Sequence, residues 1–138
     1  MLRVFTAFSG YDSQCLALNR LGIDYDLVGW SEIDKFAIKA HNALFPQWSD
    51  RNFGDITQIN WHTVPDFDLF TYSSPCQDFS NAGKMKGGEE GSGTRSSLLW
   101  ECKKAIWIKR PRYLLMENVS NLVSKRFIDT FNQWLYVL

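Results

Sequence analysis

Little in this chain of 138 residues is suited to a disulfide framework or a metal centre. Its three cysteines (Cys15, Cys76 and Cys102) are odd in number and lack CxxC spacing, which argues against both a disulfide scaffold and a zinc site. The two histidines, His41 and His62, have no metal-ligand spacing to each other or to the cysteines, so both read as structural. No metal is expected. No apolar run approaches the roughly 20 residues that span a bilayer. The amino terminus lacks a basic segment, a long apolar core and a small-residue cleavage site. No membrane partner is expected, and a reducing cytoplasm is the natural compartment. Net charge is zero, which is unpromising for an independent nucleic-acid binder. Internal repeats and linkers are also absent.

What remains is a globular composition. Hydrophobic residues make up 45% and aromatic residues 15%, enough for a real core in one domain. The charge is unevenly spread: residues 1–70 hold five Lys/Arg against nine Asp/Glu, and residues 71–138 hold ten against six. A basic back half can face a polyanion. Lys103, Lys104, Lys109 and Arg110 are equally well read as a solvated helix face.

Strand and helix signals alternate. Residues 2–8 read as a first strand. Asp12 or Ser13 can cap a following helix with Tyr11, Cys15, Leu18 and Leu21 at helical spacing, and Gly22 stops it. Residues 25–30 form a second strand. Asp34 caps a second helix with Ala37, Ala40, His41 and Leu44 on one face, and Pro46 lies beyond its end. Residues 52–55 suggest a short third strand and residues 67–72 a fourth. Thr94 or Ser96 opens a helix carrying Leu98, Leu99, Cys102, Ile106 and Trp107, ended by Pro111. Residues 113–116 are a fifth strand, and a last helix aligns Phe127, Phe131, Trp134, Leu135 and Leu138. Cys15 and Cys102 fall on apolar helix faces, and Trp100 and Trp107 read as a packed stripe. The expected fold class is α/β: one doubly wound domain with a mostly parallel sheet covered on both faces.

The richest segment is Ser74-Pro75-Cys76-Gln77, at the carboxyl end of the fourth strand, where open α/β sheets place their chemistry. Pro75 stiffens the turn and biases Ser74 toward extended geometry. A rigidly presented thiol suggests a nucleophile, and a small packing residue is the plainer alternative. The segment 83–95 holds five glycines with Lys84, Lys86 and Arg95. It lacks the Gly-Lys-Ser/Thr spacing of a P-loop.

In order and spacing, Phe8-Ser9-Gly10, Ser31-Glu32-Ile33-Asp34, Gly54-Asp55-Ile56, Ser74-Pro75-Cys76-Gln77-Asp78-Phe79-Ser80 and Glu117-Asn118-Val119 resemble the cytosine-C5 DNA methyltransferases. The resemblance covers nearly all of the chain and the front part of a family member. It implies a Rossmann-like, S-adenosylmethionine-dependent methyltransferase fold, incomplete on its carboxyl-terminal side. Family members continue with further strands, an arginine-bearing motif and a target-recognition domain, so the chain looks truncated. Residues 1–138 would then be the cofactor-binding and nucleophile-bearing part.

The resemblance also implies roles. Cys76 matches the nucleophile that adds to carbon 6 of cytosine, and Glu117 the carboxyl that engages ring N3. That carboxyl is expected to be buried, since Glu117 directly follows an apolar strand. Asn118 is expected to orient loops. S-adenosylmethionine is the implied cofactor. Glu32 would accept both ribose hydroxyls and Ile33 would pack on adenine, while Asp55 faces the adenine amino group with the Ile56 backbone beside it. Phe8, Ser9, Gly10 and Tyr11 would line the methionine half, with Ser74 nearby. Two departures stand out: Asp12 and Ser13 occupy positions where members usually have glycines, and Tyr72-Ser73-Ser74 stands where Gly-Gly usually precedes the cysteine motif. Their side chains are expected to narrow the cofactor site. The segment 83–95 resembles the mobile loop that closes over a flipped base. Double-stranded DNA is the implied partner, in restriction–modification or phage self-protection, and a truncated piece has a route to self-association. Two alternatives stay open: a non-catalytic S-adenosylmethionine-binding remnant, and a tRNA cytosine-C5 methyltransferase.

Overall fold

The structure is a computed structural model that describes residues 1–75 and 95–138, with the backbone alone for residues 95–97. Four strands, β1 (Leu2–Ala7), β2 (Tyr25–Ser31), β3 (Leu69–Tyr72) and β4 (Tyr113–Met116), form one sheet in the order β2-β1-β3-β4. All three pairings are parallel. Helices α1 (Ser13–Arg20), α2 (Lys35–Leu44), α3 (Glu101–Lys109) and α4 (Ile128–Tyr136) complete the described framework.

Alternation along β1 explains the two-sided core. Val4 joins Cys15 of α1, Leu27 and Trp30 of β2, and Phe45 after α2. Phe5 and Ala7 point the other way, toward Phe70, Tyr72, Cys102, Ala105 and Trp134, which brings α3 and α4 onto the opposite face. Phe5 is the hub there, with ring centroids 5.1–6.1 Å from Trp61, Phe67, Phe70 and Phe53. Such pairs contribute about 0.5–1.5 kcal/mol each beyond area burial. Gly29 is required by this hub, because a Cβ there would meet the Phe5 and Phe53 rings at 2.7 Å.

Several expected elements take a different form. Residues 52–55 do not make a strand: only Asn52 bridges, to Trp30, between 3-10 turns at Pro46–Arg51 and Ile56–Gln58. The Asn52 side chain takes over the ladder's role, accepting from the Glu32 N–H at 3.2 Å and donating to its carbonyl at 3.1 Å. Tyr11 precedes α1 rather than belonging to it, and is exposed. On α2 the inward side carries Ile38 and His41, whereas Ala40 and Leu44 face solvent. Trp107 is exposed on α3, so only Trp100 of that pair is core. β4 is an edge strand, and Tyr113, Leu114 and Leu115 are all exposed. α4 lies along one side of β4, and no described strand pairs with its outer edge.

Candidate active site

From β1 the chain crosses one way to β2 and the other way to β3, so the strand order reverses between β1 and β3. In open α/β sheets a ligand crevice forms beyond the strand ends at such a switch point. Four segments meet there: residues 8–12 after β1, 32–34 after β2, 73–75 after β3 and 117–119 after β4.

The first segment is unusually shaped. Phe8, Gly10 and Asp12 have φ of 55°, 57° and 66°, in the left-handed region. For the two residues with a Cβ this costs roughly 1–2 kcal/mol each, so neighbouring contacts must hold the turn. The Ser9 N–H donates to the Ser31 carbonyl at 3.1 Å and the Asp12 N–H to the Ser9 carbonyl at 2.7 Å. The Gly10 N–H donates to Glu32 Oε2 at 2.9 Å. Ser9 Oγ is buried and has no hydrogen-bond partner among the described residues.

Glu32 organises the second segment. Its Oε1 accepts from the N–H groups of Ile33 at 2.8 Å and Asp34 at 2.9 Å. Asp34 then caps α2, its Oδ1 accepting from Phe36 and Ala37 at 2.8 and 2.9 Å. Ile33 is 71% exposed at the rim. Nearby, Ser31 Oγ donates to the Gly54 carbonyl at 2.7 Å and brings the next segment in. Asp55 is exposed and caps the turn after it, its Oδ1 accepting from Thr57 N and Oγ1 at 2.9 and 2.8 Å. Ile56 is buried in the core beneath.

The third and fourth segments are joined by Asn118. Its Nδ2 donates to Ser74 Oγ at 3.1 Å and to the Ser74 carbonyl at 3.2 Å, and its Oδ1 accepts from the Val119 N–H at 2.9 Å. The Glu117 N–H donates to the Tyr72 carbonyl at 3.1 Å, which continues the β3–β4 ladder. Asn118 thus orients loops, as expected. The burial expected of Glu117 is not found: its side chain is exposed. Among the described residues no apolar wall surrounds it, since it follows the edge strand β4. Cys76 and the glycine-rich segment up to residue 94 lie outside the described residues.

Two of the departures from glycine have defined partners within the protein. Asp12 is 0% exposed and turns inward. Ser73 Oγ instead accepts from Gln14 Nε2 at 3.1 Å, a tie between α1 and the loop after β3. Sequence reasoning missed Gln14 and Asn52, and no local signal marks either. The other two cysteines are inert by environment. Burial pushes the Cys15 thiol well up, with the Asp12 charge adding to it. Burial does the same for Cys102.

An apolar groove of about 340 Å³, lined among others by Leu114, Met116, Trp134 and Leu135, runs along β4 and α4 and reaches Asn118 and Val119 of the fourth segment. Among the described residues no cluster of His, Cys, Asp and Glu could hold a metal ion, and no helix is long and apolar enough to cross a membrane.

This parallel sheet with its rim defines a class of nucleotide-type α/β folds, and comparison with known proteins narrows it. The C-5 cytosine-specific DNA methylase family matches residues 2–138, and the chain belongs to that family. It is 39% identical to the type II methyltransferase M2.ScrFI of Lactococcus lactis subsp. cremoris, covering all of this chain and 52% of that protein. It is 42% identical to the orphan methyltransferase M.Rho11sI of Bacillus phage rho11s, covering 95% of this chain and 25% of that one. The chain thus spans between a quarter and about half of these relatives. Among solved structures, S. pombe Dnmt2 methyltransferase superposes with TM-score 0.73 at 24% identity, covering 99% of this chain and 42% of that one. The Entamoeba histolytica methyltransferase EhMeth superposes with TM-score 0.76 at 18% identity, covering 99% and 43%. These last two support the methyltransferase fold.

Proposed function

We propose that residues 1–138 are the cofactor-binding and nucleophile-bearing part of a DNA (cytosine-5)-methyltransferase. The observation that carries this reading is the Asn118–Ser74 link, which joins the loop leading to Cys76 with the loop bearing Glu117 beside the Glu32–Gly10 rim. Cys76, two residues after Ser74, is the nucleophile. A cysteine thiol has an ordinary pKa near 8.5, and its thiolate is the attacking form. Addition of sulfur to carbon 6 pushes electron density onto carbon 5, and Glu117 hydrogen-bonds N3 to offset the charge that develops in the ring. Once carbon 5 has taken the methyl that the cofactor would supply, the bonding pair leaving with the donor sulfur, loss of the carbon-5 proton and expulsion of the thiolate restore the ring.

The rim fits S-adenosylmethionine. Ser9 Oγ is a buried polar atom in want of a partner, Ile33 offers an exposed apolar surface, and a carboxylate stands at the end of β2. When bound, this group supplies the electrophilic methyl. Phe8, Ser9, Gly10 and Tyr11 hold its methionine half, Glu32 its ribose, and Ile33, Asp55 and the Ile56 backbone its adenine, with Ser74 closing the far side. Glu32 Oε1 already accepts two N–H groups and Oε2 one. A carboxylate offers about four acceptor sites, so Glu32 keeps acceptor capacity toward the ribose.

Titration calorimetry of S-adenosylmethionine on the chain tests the cofactor reading. Wild type should bind, and Glu32→Ala should weaken binding by roughly 1–3 kcal/mol. Equal affinity in the two proteins would refute the assignment of Glu32.

A further inference from the structure

Asp12 is a buried acid that the proposed chemistry does not use. It has no solvent exposure and sits at φ 66°, ψ 59°, a backbone conformation that glycine adopts freely and aspartate seldom does. Burying a carboxylate is unfavourable unless its oxygens are satisfied, so its surroundings are informative. Thr6 Oγ1 donates to Oδ2 at 2.8 Å, and the Cys15 N–H donates to Oδ1 at 3.4 Å. His41 Nε2 lies 3.4 Å from Oδ2, in contact but outside hydrogen-bond alignment.

His41 is itself 0% exposed and stacks on Trp30, with centroids 3.7 Å apart and planes 18° apart. Neither of its ring nitrogens has a hydrogen-bond partner among the described residues. Asp12 therefore brings together β1 through Thr6, α1 through Cys15 and α2 through His41. These elements carry the two halves of the rim: the 8–12 turn runs from β1 into α1, and residues 32–34 lead into α2. On the solvent side the same halves are tied by Glu32 accepting from Gly10. The rim is held from above and below.

We propose that Asp12 is a positioning residue for the cofactor turn: its buried carboxylate holds the turn of residues 8–12, left-handed at Phe8, Gly10 and Asp12, and registers it against α2 through His41. This rests on the cofactor reading above, although Asp12 and His41 are not placed in contact with the cofactor. The inward hydrogen bonds fix a left-handed conformation that aspartate seldom adopts by itself.

Two readouts on the 138-residue chain test this. Calorimetry with S-adenosylmethionine should show Asp12→Asn close to wild type, because asparagine tolerates the left-handed region and keeps an acceptor for the Cys15 N–H. Asp12→Ala should bind about tenfold more weakly, equivalent to 1.4 kcal/mol. Amide hydrogen exchange should show Gly10 and Cys15 losing protection in Asp12→Ala while Val4 and Leu27 keep theirs. His41→Phe, which retains a ring on Trp30, should loosen Gly10 in the same selective way, and it decides the question if Asp12→Ala does not fold. Unchanged Gly10 protection, or an equal loss throughout β1 and β2, would overturn the positioning role. A wild-type chain that binds no cofactor would sink the cofactor reading alone, and the exchange pattern would still decide the role of Asp12.

Discussion

Two of the three cysteines are locked away, and this sets what thiol chemistry can report. Cys15 and Cys102 are 0% exposed, and burial raises both thiols far above their ordinary range. Neither forms thiolate readily at neutral pH, and raising the pH helps little while the fold holds. In the native protein a thiol reagent should therefore label Cys76 first, with Cys15 and Cys102 reacting only on unfolding. Peptide mapping after brief alkylation checks this, and rapid labelling of Cys15 would contradict it. At this scale the sequence was readable where a role is local. Asp34 as a cap and Gly22 as a stop follow from side-chain reach and backbone freedom. The inward turn of Asp12 and the exposure of Glu117 were not readable, because both depend on what packs around them from distant segments.

α2 shows how an element carries a local decision to the rim. Asp34 Oδ1 satisfies two N–H groups at its start, and the preceding Glu32 carboxylate satisfies those of Ile33 and Asp34. Asp34→Ala should lower stability by about 1 kcal/mol, measured by urea unfolding, and should weaken S-adenosylmethionine binding less than Glu32→Ala does. A larger binding loss in Asp34→Ala would mean that the capping residue itself touches ligand. The alternation of strands and helices was legible because hydrophobic period and capping residues mark it. The strand expected at 52–55 was not realised, since the Asn52 side chain occupies the backbone groups that a ladder would use. The inward face of α2 was also shifted, because tertiary packing chose Ile38 over Ala40 and Leu44.

For the whole molecule the notable feature is the edge of β4, which no other described strand pairs. Tyr113, Leu114 and Leu115 are exposed beside an apolar groove, an edge of the kind that pairs with other chains. The 138-residue chain should self-associate with rising concentration in sedimentation velocity, and Leu115→Glu should reduce this; identical sedimentation of the two proteins would contradict the edge as its cause. The same chain alone should transfer no methyl group to DNA. Its net charge is zero, giving little phosphate attraction to offset the few kcal/mol needed to extrude a base. The central claim is that Cys76 is the nucleophile at this rim, and a covalent trap reads it most directly. Joined to the remaining half of the Lactococcus relative M2.ScrFI, the chain would be incubated with S-adenosylmethionine and duplex DNA containing 5-fluorocytosine, and then mapped by peptide mass spectrometry. The account predicts a DNA adduct on the Cys76 peptide that disappears in Cys76→Ala. An adduct that survives Cys76→Ala, or none in a fusion that binds both cofactor and DNA, would contradict it.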